Sequence, residues 1–72
     1  MKEFHIRAYG RTELAQVYSP DLSSKGAYNR LMAWIHFNPE LTARLKQLSN
    51  NPRSRIFTPA QVQAIVDILG EP

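Results

Sequence analysis

The stretch Ser24–Phe37 contains the only tryptophan of the chain and most constrains its fold. Its apolar residues follow the i, i+4, i+7, i+8 spacing of one helix face, at Ala27, Leu31, Trp34 and Ile35. The opposite face holds small and polar residues, namely Lys25, Asn29, Ala33 and His36, with Arg30 beside them. The pattern predicts a helix that fills the core with Trp34 and exposes a basic surface. Such a surface either reads nucleic acid or is an ordinary solvated helix face.

The chain has 72 residues and no cysteine, which predicts a single domain over residues 1–72. Disulfides and cysteine-based zinc sites are excluded, so the fold must be stabilised by packing and caps alone or by association with a partner. No run of about 18 apolar residues is present, which argues against a transmembrane helix. The N-terminus lacks the apolar region of a signal peptide, and we therefore expect a cytoplasmic protein.

The charge is unevenly distributed along the chain. The net charge is +3, and residues 1–57 hold all nine lysines and arginines against four acidic residues. Residues 58–72 hold only Asp67 and Glu71 as charged residues. A basic bias is compatible with a polyanionic partner, although many small proteins without one have a similar charge.

The N-terminal third predicts a strand followed by a short helix. Residues 4–9 alternate apolar and polar, which is typical of a half-buried strand with Phe4, Ile6 and Ala8 inward and His5, Arg7 and Tyr9 outward. Thr12 is a plausible N-cap for a helix over 13–18. The buried stripe of that helix would be Leu14, Val17 and Tyr18.

The remaining elements carry clearer boundary signals. Ser23 or Ser24 caps the central helix, and Asn38-Pro39 ends it and begins a helix with a leucine stripe over 40–48. Residues 53–57 then predict a short extended arm that pairs with the N-terminal strand. Thr58-Pro59-Ala60-Gln61 is typical of a capping box with proline at the first helical position, and Gly70 ends that last helix.

The predicted order is strand, helix, helix, helix, strand, helix. The fold class is mainly α with a small two-stranded β pair, in a helix-turn-helix or winged-helix-like arrangement of four helices. Two short helices joined by residues 19–23, the second exposing small and polar residues, are typical of the helix-turn-helix motif.

An enzyme is not expected. His5 and His36 are the only histidines, the acids are scattered, and the three glycines stand alone, so no phosphate-binding loop is present. We therefore predict no catalytic residue, no cofactor and no metal ligand, with His5 and His36 as surface residues.

In a helix-turn-helix protein the start of the second helix enters the major groove, where asparagine can pair with adenine and lysine with guanine. Arginines of the extended arm would add phosphate contacts, as a wing does. The candidate nucleic-acid-binding residues are Ser24, Lys25, Tyr28, Asn29, Arg30, Arg53 and Arg55, and Arg7 and Arg11 could support them. The alternative is that these residues are ordinary solvated side chains, with Arg53 and Arg55 keeping an edge strand soluble.

Three segments carry a resemblance: FHIRAYGRTELAQVYSP, NRLMAWIHFNPEL and FTPAQVQAIVDILGEP. Together they resemble a family of short, uncharacterised gut-bacterial proteins, a domain of unknown function that implies no established activity. A weaker resemblance is to winged-helix DNA binders of the excisionase and MerR kind. In this resemblance, residues 12–15 are similar to the first helix of those proteins and residues 23–34 to their recognition helix. Residues 55–58 are similar to their wing. Those proteins usually have a short loop where this chain has the helix over 40–48.

The leading functional hypothesis is a small non-enzymatic regulatory protein that binds double-stranded DNA. The alternative is a protein–protein adaptor or small homodimer that uses an apolar patch of Tyr28, Met32 and Phe37.

Overall fold

The computed structural model describes residues 4–49 and 55–72 of the chain. Their elements are β1 (Tyr9–Gly10), α1 (Arg11–Tyr18), α2 (Ser24–His36), α3 (Pro39–Leu48), β2 (Ile56–Phe57) and α4 (Pro59–Leu69). Within these residues the predicted order is confirmed, and so is the class, mainly helical with one antiparallel strand pair. The winged-helix arrangement stays a prediction.

The central helix α2 supplies the predicted spine of the core, with one correction. Ala27, Leu31 and Ile35 are at most 3% exposed. Trp34 was predicted to fill the core and is instead only partly buried at its edge. The buried residues repeat every four positions, and Trp34 lies one position off that row, which turns its ring to the flank of the helix. There the ring meets Tyr18 edge-on, with centroids 6.3 Å apart.

The predicted N-terminal strand is wrong in both length and facing. Only Tyr9 and Gly10 pair with β2, in an antiparallel register that sets Tyr9 opposite Phe57. Directly opposed residues share one face of a pair, and both rings are buried against the core. Ile6 and Ala8, predicted inward, are exposed. Tyr9, predicted outward, is buried, whereas His5 and Arg7 are exposed as predicted and Phe4 packs against the core as predicted.

Phe4 and Tyr9 form an aromatic pair below the short strand. Their rings stack with centroids 5.5 Å apart and planes inclined by 5°. The Tyr9 hydroxyl donates a hydrogen bond of 2.9 Å to the carbonyl oxygen of His5. Residues 4–8 lie outside the strand pair and are held by side-chain contacts, namely this ring stacking, the hydrogen bond of Tyr9 and the ion pair of Arg7 with Glu13.

The first helix α1 begins earlier than predicted. Its N-cap is Gly10 and not Thr12, and the Glu13 carboxylate accepts a hydrogen bond of 3.1 Å from the Gly10 N–H. The predicted buried stripe also needs correction, because Ala15 is fully buried whereas Val17 is 40% exposed. The buried face of α1 is therefore centred on Leu14 and Ala15.

The starts of α3 and α4 are where the sequence predicts them. Asn38 caps α3 by accepting from the Leu41 N–H at 3.0 Å, and Pro39 is the first helical residue. Thr58 and Gln61 form both bonds of the predicted capping box, at 3.2 and 3.0 Å. Gly70 ends α4 with φ at 88°, a left-handed value that favours glycine.

One buried polar side chain joins the last two helices. Gln61 is 4% exposed, and its side-chain amide donates a hydrogen bond of 3.1 Å to the carbonyl oxygen of Leu45. Carbonyls in the last turn of a helix lack an intrahelical partner, and this bond satisfies one of them. Gln61 therefore fixes α4 against the end of α3.

Candidate nucleic-acid interface

The start of α2 is built by a serine cap. The Ser23 hydroxyl oxygen accepts a hydrogen bond of 3.2 Å from the Gly26 N–H. A Cβ at position 26 would lie 3.2 Å from that oxygen, closer than most such contacts. Glycine therefore makes room for the cap, which orients the first turn of the helix.

Most of the predicted α2 residues are at the surface. Ser24, Lys25, Asn29 and Arg30 are exposed. Lys25 and Asn29 are four residues apart and share one face of the helix. Tyr28 is different, because it is partly buried against the core and offers only part of its ring to solvent.

The helix over 40–48 does not cover this surface. Lys25 and Asn29 stay exposed, and so do Ala33 and His36 further along the same face. α2 packs more extensively on α1 than on α3, so its main buried side faces α1. The outward face of α2 is thus open along its whole length.

On α2, the cation with a defined intramolecular contact is Arg30. Its guanidinium carbon lies 4.9 Å from the centre of the Trp34 ring. A cation over the face of an indole is attracted by the negative ring face. The contact holds the Arg30 side chain along α2 while its charge remains exposed.

The predicted arm arginines are not brought next to the start of α2. Arg53 lies outside the described residues. Arg55 is exposed, and its carbonyl oxygen accepts a hydrogen bond of 2.9 Å from the Arg11 N–H. Arg11 and His36 line one cavity, which places Arg11 near the C-terminal end of α2. Lys25 lies near the other end of α2, roughly 16 Å from His36 along the helix axis at a rise of 1.5 Å per residue. Arg55 and Lys25 are therefore at opposite ends of the helix.

Arg7 is occupied by neighbours of its own. Its guanidinium forms an ion pair of 3.1 Å with Glu13 and lies 3.7 Å from the centre of the Tyr9 ring. The hydrogen bond to Glu13 raises the pKa of Arg7. The hydrogen bond from Arg7, followed by that from the Gly10 N–H, lowers the pKa of the Glu13 carboxyl. Arg7 is thus a structural partner of α1 and a poor candidate for binding phosphate.

In the part of the chain that the structure describes, Lys25, Arg30 and Arg55 form no ion pair with an acidic residue. Arg7–Glu13 is the only ion pair within residues 4–49 and 55–72. α2 contains no aspartate or glutamate at all. Cations without a nearby carboxylate keep their attraction for an external anion, which is the electrostatic requirement for contacting phosphates.

A cavity at the other end of α2 was not predicted. It has a volume of about 490 Å³ and lies between α2, α3, β2 and the start of α4. Arg11, His36 and Lys46 line it, and the described residues place no acidic side chain there. These residues come from separate elements, so no local sequence pattern groups them.

Two further classes of site are absent from the described part of the chain. No group of three or more histidine, cysteine or acidic side chains there could hold a metal ion. No helix of residues 4–49 and 55–72 combines the length and the apolar character that crossing a bilayer requires.

Comparison with known proteins gives a family without an assigned activity. Residues 5–72 match the model of DUF4248, described as a domain of unknown function. The chain belongs to this family, because the match covers nearly all of it. No curated protein and no solved structure matches the chain.

Proposed function

We propose that this member of a family of unknown function is a small regulatory protein that binds double-stranded DNA through the outward face of α2. The observation that supports the proposal is the exposure of Lys25, Asn29 and Arg30 on a helix without acidic residues. The start of α2 would enter the major groove, as in helix-turn-helix proteins. A cytoplasmic location is part of this proposal.

The proposed contacts divide into two kinds. Lys25 and Arg30 would neutralise phosphates, and Ser24 with the exposed edge of Tyr28 would add polar contacts to the backbone. Asn29 would reach base edges, since its amide can donate to and accept from adenine. Arg55 lies near the C-terminal end of α2, too far from Lys25 to share these contacts. It would contact a phosphate at the edge of the site. The winged-helix likeness is part of this proposal.

The test is fluorescence anisotropy of a labelled random duplex with the whole chain, at about 50 and 200 mM salt. We expect binding at the lower salt and a large loss of affinity at the higher one. The Lys25→Gln/Arg30→Gln variant should bind weakly and reduce the salt slope by roughly 2, one for each lost phosphate contact.

The matched control is Arg44→Gln/Lys46→Gln, which removes the same charge from two exposed positions of α3. It should keep most of the affinity, because those residues lie outside the proposed surface. No binding at low salt would refute the proposal. Equal losses in the two double variants would refute the assignment to α2 and leave only a general effect of net charge.

A second candidate function is supported by Phe37, which is 86% exposed between α2 and α3. An aromatic ring so exposed is a typical anchor of a protein interface. Of the other residues predicted for this patch, Tyr28 and Met32 are partly buried against the core. The alternative is therefore a homodimer or adaptor centred on Phe37. Light scattering should then show a dimer that Phe37→Glu dissociates, and a monomer in both would reject the homodimer.

A further inference from the structure

The cavity beyond the end of α2 combines an apolar floor with a cationic rim. Leu45 and Phe57 are buried and contribute the floor, together with Ile35 and the partly buried Met32. The volume of about 490 Å³ lies within the range of small-molecule sites, roughly 300–1,000 Å³. An apolar body of two fused rings would fit such a space.

Three side chains that carry or can carry positive charge surround this floor. Arg11 comes from α1, His36 from the end of α2 and Lys46 from the last turn of α3. None of them has an ion-pair partner within residues 4–49 and 55–72, and no acidic residue among these lines the cavity. The permanent charges of Arg11 and Lys46 come from separate elements and converge here without neutralisation, which favours an anionic occupant.

Arg11 gives an independent sign that the site is incomplete. Its Nε is buried and has no hydrogen-bond partner in the described part of the chain. Its guanidinium carbon lies 5.2 Å from the centre of the Phe57 ring, at the border of the apolar floor. Buried donors in folded proteins are normally paired. A carboxylate at this border could accept from the planar fork of Arg11 after a small rotation of the side chain.

We infer that this cavity binds a small amphipathic carboxylate, with its apolar body on Phe57, Leu45 and Met32 and its carboxylate between Arg11 and Lys46. Thr42 and Gln61 also line the cavity and add polar groups that can orient the ligand. The inference does not depend on DNA binding, because neither cation is among the residues proposed for that surface.

The experiment titrates the whole chain, labelled with ¹³C in its methionine methyl groups, with 2-naphthoate. The chain has two methionines and one tryptophan, so Met32→Leu assigns the Met32 signal and the Trp34 indole is a reporter outside the cavity. We expect the Met32 signal to shift and saturate while the Trp34 N–H signal stays in place. The neutral 2-naphthamide, and acetate without an apolar body, should each bind at least about tenfold more weakly.

Three variants locate the charge. Lys46→Gln should weaken naphthoate binding about tenfold, and because Lys46 is exposed this change should leave the fold intact. Lys25→Gln removes the same charge at the far end of α2 and should change affinity by less than about twofold. Arg11→Lys keeps the charge and loses the planar fork, so it should also weaken binding.

Three results would overturn the inference. One is the absence of any saturable Met32 shift. Another is equal binding of naphthoate and naphthamide, which would reduce the cavity to an apolar depression. The third is an equal loss in Lys25→Gln and Lys46→Gln, which would show an effect of net charge. The DNA-binding measurement is unaffected by each of these results, so failure of one proposal is distinguishable from failure of the other.

Discussion

The helices α1 and α4 both contribute to the core, but different interactions fix their positions. The first turn of α4 is capped by Thr58 and Gln61, within four consecutive residues. α1 begins at Gly10, which has no side-chain oxygen to cap the helix, and the local bond at this end is the one from the Gly10 N–H to the Glu13 carboxylate. Both ends are also held from a distance, by the hydrogen bond from the Arg11 N–H to the carbonyl oxygen of Arg55, just before β2, and by that from the Tyr18 hydroxyl to the Gly70 carbonyl oxygen at 2.6 Å.

This difference shows which parts of a small fold are locally encoded. A helix with its own caps has its boundaries in its own sequence. A helix anchored through long-range contacts takes its boundaries and its buried face from the rest of the molecule. The following predictions test that contrast, beginning with the largest expected effect.

Leu14→Ala should destabilise the protein by about 3 kcal/mol, because a fully buried leucine leaves a cavity when truncated. Val17→Ala in the same helix should cost less than about 1 kcal/mol, since Val17 is 40% exposed. Urea unfolding followed by Trp34 fluorescence measures both. Similar losses of unfolding free energy in the two variants would indicate that Val17 is buried like Leu14, as the sequence predicted. That result would contradict the orientation of α1 in the structure.

Gln61→Ala should destabilise by about 2 kcal/mol, because it removes a cap of α4 and leaves the buried Leu45 carbonyl oxygen without its donor. The matched control is Gln63→Ala, two residues further along the helix. Gln63 is exposed and bonds only Asp67 at 2.8 Å, so its loss should cost under about 0.5 kcal/mol. Equal effects of the two changes in urea unfolding would show that the contact with α3 contributes nothing.

Tyr18→Phe should destabilise by about 1 kcal/mol at neutral pH, through loss of the hydrogen bond to Gly70. It should also remove a pH dependence. Burial, with a smaller contribution from the charge of Glu71, raises the pKa of Tyr18 to about 12. The unfolded phenol titrates near 10, so the stabilisation from the neutral phenol is complete below about pH 10 and is lost as the pH rises toward 12.

The shift of Tyr18 is partly screened, because the side chain is only about half withdrawn from solvent. We therefore expect the wild type to lose about 1 kcal/mol more than Tyr18→Phe between roughly pH 9 and pH 11.5, which is less than the full shift would give. Urea unfolding of both proteins at the two pH values measures this difference. Parallel losses would contradict the burial of the phenol between α1 and the end of α4.

The candidate site shows the same division between local and long-range information. The exposure of Lys25 and Asn29 was predictable, because helical spacing places them opposite Ala27 and Leu31. The position of Arg55 was not, since it depends on how β2 pairs with β1 and how that pair meets α2. The grouping of Arg11 with Lys46 in one cavity was also beyond sequence patterns, because the two residues lie 35 positions apart in the chain.

The sequence by itself determined the presence of the four helices and the caps of α3 and α4, and it narrowed the cap of α2 to Ser23 or Ser24. These features depend on hydrogen bonds and apolar spacing within a few residues. Only the tertiary structure decided that Tyr9 faces inward, that Trp34 lies at the edge of the core and that Arg11, His36 and Lys46 meet over an apolar floor. The physical reason is that burial depends on which surfaces meet, and each helix of this fold offers more than one apolar side to its neighbours.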